Sequence, residues 1–363
     1  MDSQQRRRSL AGIGGVTDAA LVRIVQKIRE DPHLVEDVGS RYQIMRALRS
    51  LEGQVCMTQE LQLKAVNRQG RRLTYKLLHA APNKILDFYI RECPGFAGML
   101  WTLISVSPPT HQRPWHVVFY VDEITPGNPI RTDNKRKIVV FYFNFLELGP
   151  EILCREDAWL PITVVRSPML RLIRGGLSAV LRALTNEFFQ RDEGWSKAGI
   201  VLELEIHTLC FFVYARLLGD ADALKLAWGN KGASGNIPCM VCKNCATVLS
   251  EIADFDESGY MIDITCHVFT KFDLATDAEV WEKHDMLTAA RAAGITKGRL
   301  DEMEKDMGQK LVDGGILEDV PLREVVGPVT SNRYDSLHCL AANGTCHSEV
   351  TLLLKAMKAA VLP

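Results

Sequence analysis

Two aspartates are placed where phosphoryl-transfer chemistry needs acids. Asp122 follows the apolar, β-branched and aromatic run Trp115–Val121, and Asp220 follows the run Leu209–Leu218 and Gly219. Such runs read as buried strands, so each acid falls at the C-terminal end of one. Mg²⁺ takes hard oxygen ligands and keeps positions open for phosphate and water. Two such ions about 4 Å apart activate a nucleophile and stabilise the leaving oxygen. Acids at strand ends also serve merely as caps, and Glu123 and Asp222 are neighbouring carboxylates of the same kind.

The cysteines suggest a second chemistry. There are ten, and six of them (Cys239, Cys242, Cys245, Cys266, Cys339 and Cys346) crowd the last third. Pro238-Cys239-Met240-Val241-Cys242 contains the C-x2-C half of a tetrahedral zinc site. Cys266-His267, His338-Cys339 and Cys346-His347 could complete it. Arg6, Arg7 and Arg8 are not followed by a secretory apolar segment, so clustered thiols favour metal over disulfides. A redox pair is disfavoured because the motif does not open a helix after a strand. Core cysteines without a ligand are the plain alternative.

Other candidates carry less. Arg131, Lys135, Arg136 and Lys137 lie between the first two long strands and could hold a phosphate backbone in a sequence-independent, salt-sensitive way; a solvated hairpin tip explains them equally. Asn230–Gly235 lacks the Lys-Ser/Thr order of a phosphate-binding loop. His207, after Glu203 and Glu205, reads as a structural strand histidine. There is no G-x-S-x-G elbow and no Cys–His nucleophile setting.

The elements that must position these residues follow from composition and periodicity. The chain has 363 residues, 47% of them hydrophobic, with 43 Lys+Arg against 44 Asp+Glu. A net charge of −1 excludes a histone-like basic protein and a solvating acidic tail. No apolar run approaches the ~20 residues of a membrane span, so the chain reads as soluble and intracellular. Helical spacing is expected from Asp18 to Pro32, with Thr17 as N-cap, and again from Ser40 to Leu51. Pro108–Pro114 is a strong breaker. Lys137–Leu148 and Trp159–Val165 are the next strands. A helix over Ser167–Gln190, interrupted at Gly175-Gly176, precedes strands at Gly199–Ile206 and Leu209–Leu218. Residues 277–320 read as mostly helical, Pro321–Pro328 as a connector, and a last helix follows Asp335.

At this point several stretches resemble a known group. Phe119-Tyr120-Val121-Asp122-Glu123-Ile124-Thr125-Pro126-Gly127-Asn128-Pro129, Asp133–Lys137 and Phe145–Gly149 are similar to proteins abundant in dinoflagellate genomes. So are Asn230–Gly235, Cys239 and Cys242 with Asn244, and Tyr334–Cys339 with Asn343-Gly344. That group resembles transposases of the Kyakuja–Dileera–Zisupton or Plavaka type, and the resemblance spans about residues 20–360. It implies an α+β fold: a ribonuclease-H-like mixed sheet with flanking helices, in which the first and fourth strands lie parallel and adjacent. The expected organisation is an N-terminal helical region (1–53), a small α/β connecting region (54–113) and the core (114–228). A zinc-containing helical insertion (229–330) and a C-terminal D-x-x-H element with its helix (331–363) follow.

The resemblance further implies roles. Asp122 and Asp220 correspond to the first two catalytic acids; the third, normally a Glu on a late helix, falls to Glu349 at the start of the last expected helix, to Asp335 just before that helix, or to the part of the family beyond this chain. These would hold two Mg²⁺ or Mn²⁺. Cys239 and Cys242 correspond to the first half of a structural Zn²⁺ site, completed from His338, Cys266 or Cys339. DNA is the implied partner, without a membrane, in a nuclear and homo-oligomeric protein. Family members continue past this last helix, so a truncated or inactive copy is one expectation. The alternative function is a catalytically dead, zinc-containing DNA-binding or scaffold protein.

Overall fold

The computed structural model describes residues 58–67, 69–124, 137–155, 158–190, 194–246, 258–264, 266 and 268–334. All of these residues belong to one compact unit. The helices expected before Leu51 and after Asp335 lie outside the described residues.

The described chain is α+β, with eight α-helices and a mixed seven-stranded sheet. A hairpin, β1 (Thr58–Val66) and β2 (Arg72–Ala80), leads into α1 (Pro82–Glu92) and α2 (Pro94–Val106). Next come β3 (Trp115–Ile124), β4 (Ile138–Phe145), α3 (Pro150–Leu153) and β5 (Leu160–Arg166). Helices α4 (Ser167–Leu170) and α5 (Gly176–Thr185) precede β6 (Ile200–Glu203), β7 (His207–Cys210), β8 (Phe212–Gly219) and α6 (Ala221–Trp228). The last part holds β9 (Cys245–Ala246), β10 (Ile262–Asp263), α7 (Asp277–Ala292), α8 (Lys297–Met307) and β11 (Asn332–Tyr334). The sheet order is β1-β2-β5-β4-β3-β8-β11. β4 runs antiparallel to both β3 and β5, whereas β8 runs parallel to β3 and β11 parallel to β8.

Two expected elements divide. The helix over Ser167–Gln190 breaks between α4 and α5, where Gly175 takes φ +89° and the chain turns against the Asp313 carbonyl; no side chain fits there. Its end, Asn186–Gln190, is a π-turn. The single strand expected over Leu209–Leu218 is two. β7 pairs with β6 as an isolated hairpin, and at Phe211 the chain crosses into the main sheet, donating to the Pro109 carbonyl and accepting from Trp115. The predominantly helical stretch expected to Val320 ends at Met307, because Gly308 caps α8 in the left-handed region.

Alternation along β3 and β4 sends Phe119, Phe143 and Phe145 into one face, where Phe188, Phe189, Trp195 and Phe212 meet them. Phe188 lies 4.8 Å from Trp195 and Phe145 4.8 Å from Phe212, centroid to centroid. Such pairs contribute roughly 0.5–1.5 kcal/mol each beyond their burial. Val280 and Trp281 of α7, with Ile316, Leu317, Leu322 and Val326, extend this core. No helix among the described residues is long and apolar enough to cross a membrane.

Candidate functional site

The parallel pairing of β3 with β8 sets Val121 opposite Gly219. The next residues are Asp122 and Asp220, so the two acids leave neighbouring strands at the same end of the sheet, about one strand spacing (~4.8 Å) apart at the backbone. Both are half-buried. Asp220 caps α6, one carboxylate oxygen accepting from the Ala223 amide at 2.6 Å. A carboxylate has about four acceptor sites, so this bond leaves capacity for a cation.

The neighbouring acids are otherwise engaged. Asp222 is ion-paired to Lys225 at 2.5 Å. Glu123 points to the face opposite Asp122, where it meets Lys137 Nζ at 2.5 Å and accepts from the Ser167 hydroxyl at 2.7 Å. Burial pushes the Glu123 carboxyl up, but Lys137 and Ser167, with Arg171 nearby, outweigh it and hold the group below the usual carboxylate range. Asp335 and Glu349 lie outside the described residues; Tyr334, the residue before Asp335, pairs with Gly219 from the far side of β8.

Of the basic cluster read from sequence, Arg131, Lys135 and Arg136 lie outside the described residues, and Lys137 is bound to Glu123 rather than free for phosphate. Two exposed arginines not singled out from sequence stand at the same sheet end: Arg166, which pairs with Ile138 at the end of β5, and Arg171 after α4. Their signal was an Arg-Ser-Pro sequence closing a strand.

The thiol pair is also assembled locally. The amides of Val241 and Cys242 both point at Cys239 Sγ, at 3.4 and 3.3 Å, which folds residues 239–242 into a tight turn. That turn is fastened to the segment before α7: Cys242 bridges Leu274, Ala275 donates to the Val241 carbonyl, and Lys243 donates to that of Asp273. Burial raises the Cys242 thiol to about 12, with Cys239 and Cys245 adding to the effect. Cys245 rises to about 11 by burial, with Cys239 and Asp263 contributing. Crowded thiols of this kind become favourable ligands only when a cation reverses the local charge. Cys266 follows β10, its amide bonded to the Asp263 carbonyl, and β10 pairs with β9, which begins at Cys245. Among the described residues no three Cys, His, Asp or Glu side chains converge on one point. Cys266 therefore does not join Cys239 and Cys242 as a third ligand here, and His338 and Cys339 lie outside the described residues.

No family model matches this chain, and no curated protein matches it.

The remaining motif residues have structural duties. Asn244, buried beside the thiol turn, donates to the Tyr260 and Lys271 carbonyls and accepts from the Asp273 amide. Asn230–Gly235 lies against the turn after α8: Lys231 donates to the Gly308 carbonyl and Asn236 to that of Lys305. The Lys231 ammonium meets the buried Glu304 carboxylate at 3.5 Å. Trp228 donates to Asn332 at 2.6 Å, tying α6 to β11. His207 lies exposed opposite Glu203 in the β6–β7 hairpin, as a structural strand residue does.

Proposed function

We propose that this chain is a DNA-cleaving and strand-transfer enzyme of the transposase type, with Asp122 and Asp220 as two of its metal-holding acids. One observation carries the reading: these acids sit at matched ends of adjacent parallel strands although 98 residues separate them in sequence. The order β5-β4-β3-β8-β11, antiparallel in its first three strands and parallel in its last three, supports a ribonuclease-H-like assignment for the core. Two bound Mg²⁺ or Mn²⁺ ions would neutralise the phosphodiester and lower the pKa of the attacking hydroxyl. Asp122 and Asp220 would hold them, with Asp220 oriented by its hydrogen bond to Ala223. Arg166 and Arg171 would receive the flanking phosphates by charge. Lys137, engaged by Glu123, would act by fixing the start of β4.

Residues 239–242 fit half of a structural Zn²⁺ site, since two amides fold the turn onto Cys239 Sγ and the Cys242 thiol lies within hydrogen-bond reach of the Cys239 thiol. We propose zinc there, with the remaining ligands from Cys339 and His338, which lie outside the described residues. Bound zinc would supply folding free energy to a segment that buries little apolar surface.

Nicking of supercoiled DNA with Mg²⁺ or Mn²⁺ tests the reading. Asp122→Asn and Asp220→Asn should each lower it by about a hundredfold or more, the scale on which a charge-stabilising group contributes, while duplex binding persists. Wild-type protein that binds DNA yet never cleaves it would favour the catalytically dead alternative, which the capping role of Asp220 also accommodates. For zinc, elemental analysis of reduced protein should give one ion per chain, and less in Cys239→Ser.

A further inference from the structure

A cleft of about 460 Å³ runs between the outer strand β1, the flank of α5 and the turn after α8. Ala179, Arg182, Ala183 and Asn186 form its helical wall, at the three- and four-residue spacings that place side chains on one stripe. Lys64, Arg174, Arg182 and Arg291 supply four cations against three carboxylates, those of Asp313 and Glu318 in the lining and that of Asp319 on Arg182.

The carboxylates hold the arginines in place and leave donors over. Asp313 takes Arg174 at 2.7 Å and Arg291 at 2.5 Å on its two oxygens. Arg182 is fixed by Asp319 at 2.7 Å, beside Asn186 at 2.9 Å on the same oxygen. Each guanidinium carries five N–H donors in a rigid fork, and no more than two of them are taken up in each of these ion pairs. The ammonium of Lys64, exposed on β1, has no carboxylate within ion-pair distance among the described residues. The described lining contains no aromatic ring on which a base could stack.

The position relates the cleft to the acid pair. β1 and β3 run the same way and stand four strand spacings apart in the sheet. Lys64 and Asp122 are therefore on the order of 20 Å apart, about six nucleotide steps along a duplex.

We propose that this cleft binds the phosphodiester backbone of the same nucleic acid whose strand reaches Asp122 and Asp220, reading charge and spacing rather than bases. It rests on the reading of this chain as a DNA-processing enzyme. Excess cations with pre-set guanidinium forks suit phosphate oxygens, which accept bidentate bonds from arginine.

The test measures affinity of the full chain for a fluorescein-labelled duplex of about 30 base pairs by anisotropy, without divalent metal, across about 50–200 mM NaCl. Lys64→Glu should weaken binding about fivefold or more and reduce the salt slope by about 1–2. Lys197→Glu, the same charge change on an exposed residue in the turn before β6, should shift affinity less than about twofold. Lys64→Gln, with a weaker effect in the same direction, covers the case in which the reversal fails to fold. If the Lys64 variants bind like wild type, or no worse than Lys197→Glu, the cleft proposal is overturned; metal-dependent nicking by the same preparations would leave the enzymatic reading standing. A wild-type chain that binds no duplex overturns both.

Discussion

The sheet core and the thiol-bearing segment 236–274 are built by different physics. In the core, seven fully buried aromatic rings interlock between the sheet and the α5 side, and burial supplies the stability. Between Trp228 and Val280, Met240 is the one apolar side chain among the described residues that packs against that core. Its neighbours point outward instead: Phe269 is 84% exposed, Leu274 61% and Ile264 52%. Order there comes from polar ties: the three bonds of Asn244, Lys243 with Asp273 and Glu279, and the Thr276–Glu279 capping box that starts α7. A segment that buries little apolar surface depends for its order on directional bonds; the core depends chiefly on burial.

Substitutions can break this contrast. The largest effect is expected in the core. Phe188→Ala should cost about 3–5 kcal/mol of global stability by urea unfolding, while leaving zinc content unchanged in protein that stays folded. Asn244→Ala removes three bonds at a buried point and should cost about 2–3 kcal/mol. That loss should appear as faster amide exchange and proteolysis across 240–275, with β3 and β4 still protected. An equal loss of protection in both places would show that the two regions fold as one.

Acid should act at the seam, where α7 joins segment to core. His284 is buried with Nδ1 unpartnered, and burial holds its ring below the usual histidine range; Arg323 and Arg291 add to this against Asp285 and Glu318. The unfolded chain therefore takes up a proton near pH 6.5 that the folded chain refuses. Stability should be fully present above that pH and fall below it, by at most about 1.4 kcal/mol per pH unit for one proton. Unfolding curves at about pH 7.5 and 5.5, flatter in His284→Gln, check the sign. The smallest effect belongs to Thr276→Ala, which removes the cap of α7 and should cost about 1 kcal/mol, read as a small drop in thermal midpoint.

Much of the sheet was legible locally. β3, β4 and β5 follow their apolar runs within a few residues, and Gly175-Gly176 marked the break before α5. The split of Leu209–Leu218 into β7 and β8 was not legible, because both halves are apolar and only the backbone bonds of Phe211 to Pro109 and Trp115 divide them. Lys137 read as part of a free basic cluster; its capture by Glu123 depends on β3 and β4 pairing in register. The duty of Asn244 was equally hidden, since its partners at 260, 271 and 273 are brought close only by the fold of the segment.

What the sequence determined by itself are residue type and local form. Apolar runs end in Asp122 and Asp220, and a C-x2-C turn needs only its own amides to shape it, because those bonds join residues two or three apart. Tertiary structure alone decided which of these residues meet. Asp122 and Asp220 become neighbours because β8, after a crossover through β4, β5 and α5, returns parallel to β3 with Gly219 opposite Val121. The cleft cations likewise come from β1, α5, α7 and the loop before α5, and no local pattern encodes their approach. Pairing across such separations is chosen by which faces can be buried together, a property of the whole core rather than of any window of sequence.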